Sequence, residues 1–142
     1  MKIKNQKSNI KYRKSKYEGL QKGIRELKLP KMETWENQYP DKKYTIKIET
    51  DEFTCICPKT ALPDFANIRI DYKPGKFCVE LKSFKLYLYA FRNVGIFHEH
   101  LTCRILDDFV KAARPKWARI ETRFKTRGGI VTTVEREYSA LS

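Results

Sequence analysis

Only two histidines, His98 and His100, occur among the 142 residues, and none of the six glycines are spaced as G-x-G-x-x-G. The first scarcity leaves few imidazoles for a zinc site, and the four cysteines (Cys55, Cys57, Cys78, Cys103) form no Cys-x-x-Cys pair. No metal is therefore expected. The second excludes the dinucleotide-binding turn of a Rossmann sheet. No apolar run approaches the ~20 residues of a bilayer span. Nor does an apolar segment follow the basic start "MKIKNQKSNIKYRKSK", so neither a membrane partner nor a secretory leader is expected. Without export, the cysteines are expected as reduced thiols in a cytoplasm.

What the chain does have is apolar and aromatic content, 41% and 13%, enough for a folded core despite a net charge of +13. The charge is uneven. Residues 1–28 carry ten Lys/Arg against two acids, +8 of the total. Such an arm suits an RNA or a membrane surface, or simply a solvated extension. Pro30 and "NQYPDKK" (37–43) bracket a linker, so residues 1–42 are read as a basic extension and linker, and 43–142 as the folded domain. Removing residues 1–28 is accordingly expected to leave function almost unchanged.

Periodicity divides that domain. "KYTIKIET" (43–50) and "FANIRIDY" (65–72) alternate as half-buried strands do, with Ala66, Ile68, Ile70 and Tyr72 sharing one face. "KPGK" (73–76) signals a turn and "FCVE" (77–80) a short return strand. In "LKSFKLYLYAFRN" (81–93), Leu81, Phe84, Leu88 and Phe91 fall on one helical face, and "FHEHLTCRILDDFVKAAR" (97–114) is a second amphipathic helix closed by Pro115. "WARIETRFKT" (117–126) and, after "RGG" (127–129), "IVTTVERE" (130–137) return to strand alternation. The order β-β-β-α-α-β-β predicts an α+β fold, an antiparallel sheet with two helices on one side.

"TCICPKTALPDF" (54–65) is the segment richest in reactive groups. Cys57 can be a buried thiol, a ligand or a nucleophile. It follows a strand, where loops expose side chains, and Lys59 nearby would lower a thiol pKa and favour the reactive thiolate. Asp64, seven residues on, can fold back within proton-transfer reach. Glu80 stands at one predicted helix start and Glu99, beside His98, at the other; they suit caps, or carboxylates accepting paired N–H bonds from a guanine-like edge. Lys82, Lys85 and Arg127 with Gly128 and Gly129 suit either a solvated face or an anion site.

Together, "CPKTALPDFA" (57–66), "VELKSFKLYLYAFRN" (79–93), "FHEH" (97–100) and "RGG" (127–129) resemble the NADPH-dependent 7-cyano-7-deazaguanine reductases of queuosine biosynthesis, the QueF family, in its short single-domain form. The resemblance covers residues 43–137. It implies the tunnelling fold (T-fold) of GTP cyclohydrolase I, with subunits assembled into barrel-like, stacked rings and active sites between them. It implies nitrile reduction in the cytoplasm: Cys57 the nucleophile that forms a thioimide, Asp64 the proton donor, which burial would help keep protonated. Val79, Glu80, Leu81, His98 and Glu99 would bind the deazapurine, and Leu81, Lys82, Lys85, Arg127 and Gly128 the NADPH. Position 81 is leucine where many members have serine. Binding of tRNA is not expected for a reductase. The alternatives are an amidinotransferase of the same family, forming archaeosine on tRNA with ammonia, and a non-catalytic RNA-binding module.

Overall fold

The structure, a computed structural model, describes residue 17 and residues 19–141; most of the basic arm lies outside the described residues. A four-stranded antiparallel sheet runs in the order β2 (Ile46–Ile56), β3 (Pro63–Lys73), β5 (Trp117–Phe124), β6 (Thr133–Ser139). Helices α1 (Leu81–Tyr89) and α2 (His98–Ala113) cover one face of it. On β3, the predicted inward set Ala66, Ile68, Ile70 and Tyr72 is buried, as are Ala118, Ile120 and Thr122 on β5. An aromatic cluster joins the layers. Phe109 of α2 meets Tyr72 edge-on at 4.8 Å and Phe84 of α1 at 6.1 Å, and Phe91 bridges Phe53 and Tyr87. Such pairs add to the burial of each ring.

Helix α1 ends where Ala90–Asn93 tightens into a 3-10 turn, and α2 ends at Arg114, whose φ of 47° breaks the helix before Pro115. Gly128 and Gly129 both take positive φ, 55° and 78°, between Arg127 and Ile130, which exchange backbone hydrogen bonds. That is the geometry of a two-residue hairpin turn, which demands glycine-like residues at both central positions.

Three features differ from the sequence reading. First, β2, which runs on to Ile56 ahead of Pro58 as the sequence has it, is interrupted by a bulge between Thr50 and Phe53 that inserts one residue. The extra residue switches the inward phase from Ile46 and Ile48 to Phe53 and Cys55, because strand side chains alternate with period two. Second, β4 (Phe77–Val79) does not return along β3. Both edges of β3 are already taken by β2 and β5, so β4 pairs instead with β1 (Thr34–Glu36) as a separate two-stranded sheet. Third, β1 lies within the segment read as linker, and Met32 just before it is buried in the core.

Candidate active site

Cys57 follows β2 and opens a single tight turn, closed by the Ala61 N–H donating to the Cys57 carbonyl at 2.9 Å. The arrangement is that of a helix start. Pro58, which has no N–H to leave unpaired, takes the first position, and the next two amides, of Lys59 and Thr60, aim at the sulfur. The thiol is held below its ordinary range, chiefly by the Thr60 hydroxyl, then by those two amides; burial and the charge of Asp64 oppose them. The Lys59 ammonium is not what acts. It sits 5.0 Å above the Tyr17 ring, and its backbone amide serves instead. Neighbouring Cys55 is a contrast, fully buried and pushed up to about 12 by that burial, hence inert.

Asp64 is the second residue of β3, in register with Cys55 on β2, and is buried, 7% exposed. Its Oδ2 lies 3.2 Å from His98 Nε2, and Arg127 approaches Oδ1 at 3.5 Å. Arg127 also donates to the Pro63 carbonyl at 2.6 Å. The His98 ring lies flat on Phe124. Asp64, His98, Phe124, Arg127, Phe65 and Ile130 line a cavity of about 310 Å³. The loop leading into α2 is tied to β2 by Ile56 N–H to Val94 O (2.9 Å) and Ile96 N–H to Ile56 O (3.0 Å). The end of β2, the start of β3 and the start of α2 are thereby held together. Sequence reasoning assigned no role to Thr60 or Phe124, although Thr60 stands three residues beyond Cys57, the spacing of an N-cap contact.

Val79, Glu80, Leu81 and Lys82 are elsewhere. The Val79 N–H donates to the Tyr72 hydroxyl at 3.0 Å, and Tyr72 is eight positions along β3 from Asp64, about 26 Å at strand rise. Glu80 caps α1. Its two carboxylate oxygens accept the Lys82 N–H at 2.7 Å and the Ser83 N–H at 2.8 Å, and these amides hold its pKa below the usual carboxylate value. Each oxygen keeps a second lone pair for an incoming donor. Leu81 and Lys82 are exposed, and Lys85 lies with Leu81, Leu88, Tyr89 and Arg92 along an apolar groove of about 480 Å³ between α1 and β2. Apolar walls with cations at the rim suit a phosphorylated dinucleotide, so the residues fit NADPH. Glu99, in the first turn of α2, is exposed. The structure thus gathers Cys57, Asp64, His98 and Arg127 at one end of the sheet and Val79, Glu80 and Leu81 at the other. Among the described residues, no group of three or more His, Cys, Asp or Glu side chains is placed to hold a metal. No helix among them is long and apolar enough to cross a membrane.

A family profile described as "QueF-like protein" matches residues 63–142, more than half of the chain. The chain belongs to the QueF-like family. The "NADPH-dependent 7-cyano-7-deazaguanine reductase" of Chloroherpeton thalassium is 57% identical over 109 residues, 77% of this chain and 94% of that protein. The protein of the same name from Halorhodospira halophila is 52% identical over 107 residues, 75% of this chain and 91% of that one. Among solved structures, the archaeosine synthase QueF-Like in the apo form superposes with a TM-score of 0.64, covering 69% of this chain and 96% of that one. At 19% identity this likeness concerns the fold alone, which is the T-fold. The α+β architecture expected for the QueF-like family is therefore present.

Proposed function

We propose that this chain is a nitrile reductase that converts 7-cyano-7-deazaguanine to 7-aminomethyl-7-deazaguanine, in the queuosine branch of tRNA modification. The observation that carries the reading is a thiol of lowered pKa, Cys57, directly after β2, with a buried carboxylate, Asp64, at the start of the adjoining β3. The curated relatives at 50–57% identity bear the name of that activity and of its cofactor, NADPH.

The Cys57 thiolate attacks the nitrile carbon, forming the S–C bond while the nitrile nitrogen takes up a proton. Asp64 delivers that proton, and His98, 3.2 Å away, can replenish it. The product is a covalent thioimide, a better hydride acceptor than the nitrile. Bound beside it, NADPH would supply the hydride for each of the two reductions that follow. Glu80, held ionised by the start of α1, and Glu99 accept N–H bonds from the deazaguanine edge, with Val79 and Leu81 beside them. Lys82 and Lys85, with Arg127 and Gly128, would hold the phosphates of the cofactor.

Because Glu80 and Cys57 stand at opposite ends of one chain's sheet, a complete site needs a second copy to bring its Glu80 to the first copy's Cys57. A ring of subunits forming a barrel meets that need. Among the described residues, the outer edge of β6, and that of β2 short of Ile56, has no strand partner, which suits such pairing. All four cysteines are free thiols, the state a cytoplasm maintains. The catalytic domain is then 43–142, and the described residues before it, from 19 on, pack against it through Met32 and β1.

The test is to mix the protein with 7-cyano-7-deazaguanine, follow NADPH absorbance, and take an intact-mass spectrum of a cofactor-free sample. A covalent adduct with NADPH consumption, both lost in Cys57→Ala, is expected. An adduct without NADPH consumption would favour the amidinotransferase, and turnover persisting in Cys57→Ala would remove the nucleophile.

A further inference from the structure

We infer that Gln21 is a positioning residue for this site, holding the start of α2, and with it His98 and Glu99, against the Cys57 end of the sheet. What those two residues then do rests on the reductase reading. Helix α2 lacks the usual means of securing its first turn. Its N-cap residue is Phe97, whose side chain makes no capping bond. The third helical position, from which a Glu or Gln side chain can reach back to the N-cap amide, is His100. Gln21, 76 residues upstream, takes over that task. Its Oε1 accepts the Phe97 N–H at 3.1 Å and meets His100 Nδ1 at 2.8 Å. An amide oxygen can only accept, so Nδ1 carries the proton.

The other end of the same amide is also engaged. Nε2 donates to the carbonyls of Leu20 at 2.9 Å and Gly95 at 3.2 Å. Gly95 bridges to Ile56, the residue before Cys57. One planar side chain thus connects the end of β2, the entry loop and the first turn of α2. Its amide polarity is fixed by its neighbours, since Phe97 offers a donor and Gly95 an acceptor.

The backbone that carries Gln21 is held independently. The Arg104 guanidinium, paired with Asp108, donates to the carbonyls of Ile24 and Leu27. Farther on, Glu33 N–H donates to Ser83 Oγ at 2.8 Å and Glu33 O accepts the Glu80 N–H at 2.8 Å. Residues 20–33 therefore form a strap that engages the starts of both helices, and a change at Gln21 alone leaves the strap in place.

The experiment uses the full chain and the variants Gln21→Ala and Gln21→Glu. Glutamate keeps the Oε1 acceptor for Phe97 and His100 and replaces the Nε2 donor with a second, charged oxygen. Three quantities are read: the ligand-free NMR resonances of the His98 ring, shifted upfield by the Phe124 face; the single-turnover rate of thioimide formation by intact mass; and iodoacetamide alkylation of Cys57. In Gln21→Ala, His98 is expected to lose most of its upfield shift and adduct formation to slow about tenfold or more, with alkylation within about twofold of wild type. Gln21→Glu is expected to restore most of both losses. Unmoved His98 resonances, an adduct rate within twofold of wild type, or equal defects in the two variants would each overturn the assignment. If the wild-type chain itself forms no adduct, the reductase reading fails, while the His98 resonances still decide the role of Gln21.

Discussion

His98 lies face to face on Phe124, ring centroids 3.5 Å apart and planes within 4°, with its Nε2 3.2 Å from Asp64 Oδ2. Phe124 is paired on the sheet with Ala66, two residues along β3 from Asp64. One strand pairing therefore sets both the plane of the imidazole and the position of the carboxylate it meets. The histidine is aimed by the sheet, although it belongs to a helix.

The Cys57 turn makes a pH-dependent prediction. Thr60→Val removes the largest influence lowering the thiol pKa while keeping the side chain's volume. A lowered pKa enriches the thiolate at neutral pH, so its loss should shift the inflection of iodoacetamide alkylation to higher pH. The rate at pH 7 should fall on the order of tenfold, as expected for losing a hydrogen bond to a charged group. An unchanged profile would mean that the amides of Lys59 and Thr60 suffice.

Arg127 was expected at the cofactor, yet here its guanidinium contacts the Pro63 carbonyl and Asp64. If that contact orients the proton donor, Arg127→Ala should slow thioimide formation in the absence of NADPH about tenfold. A variant that forms the adduct at the wild-type rate and shows only a raised KM for NADPH would return Arg127 to the cofactor alone.

Beneath His98, the fully buried Thr102 hydroxyl donates to the His98 carbonyl at 2.8 Å and pairs with Thr122 of β5 at 2.7 Å. Thr102→Val strands the Thr122 hydroxyl and should cost about 1–3 kcal/mol in chemical denaturation. Adding Thr122→Val removes the stranded group, so the double variant should be no less stable than the single one. Additive losses would show the two hydroxyls to be independent.

Truncation separates the strap from the arm. A chain starting at residue 19 keeps Gln21, and should reduce 7-cyano-7-deazaguanine at a rate within about twofold of the full chain. A chain starting at residue 29 loses Gln21 and the carbonyls bound by Arg104, and should lose most activity. Equal rates would restore the sequence expectation that residues 1–28 are dispensable.

By itself, the sequence determined the α+β class, the strand alternation of β3 and β5, both helices, and the group of motifs that carries the QueF resemblance. Those follow from burial periodicity and from short local patterns, which are properties of neighbours along the chain. The tertiary structure decided the rest, because it depended on which distant elements meet. The bulge after Thr50 put Cys55 inward through a register that no single strand encodes. Lys59 looked like the thiol's activator until its ammonium was placed over Tyr17 and the Thr60 hydroxyl on the sulfur. Glu80 and Asp64 are only 16 positions apart, yet a fully used β3 carries the chain the length of the sheet between them. Gln21 could not be read as a cap at all, since its partners lie 74 to 79 residues away and a capping bond to a distant segment leaves no periodic trace.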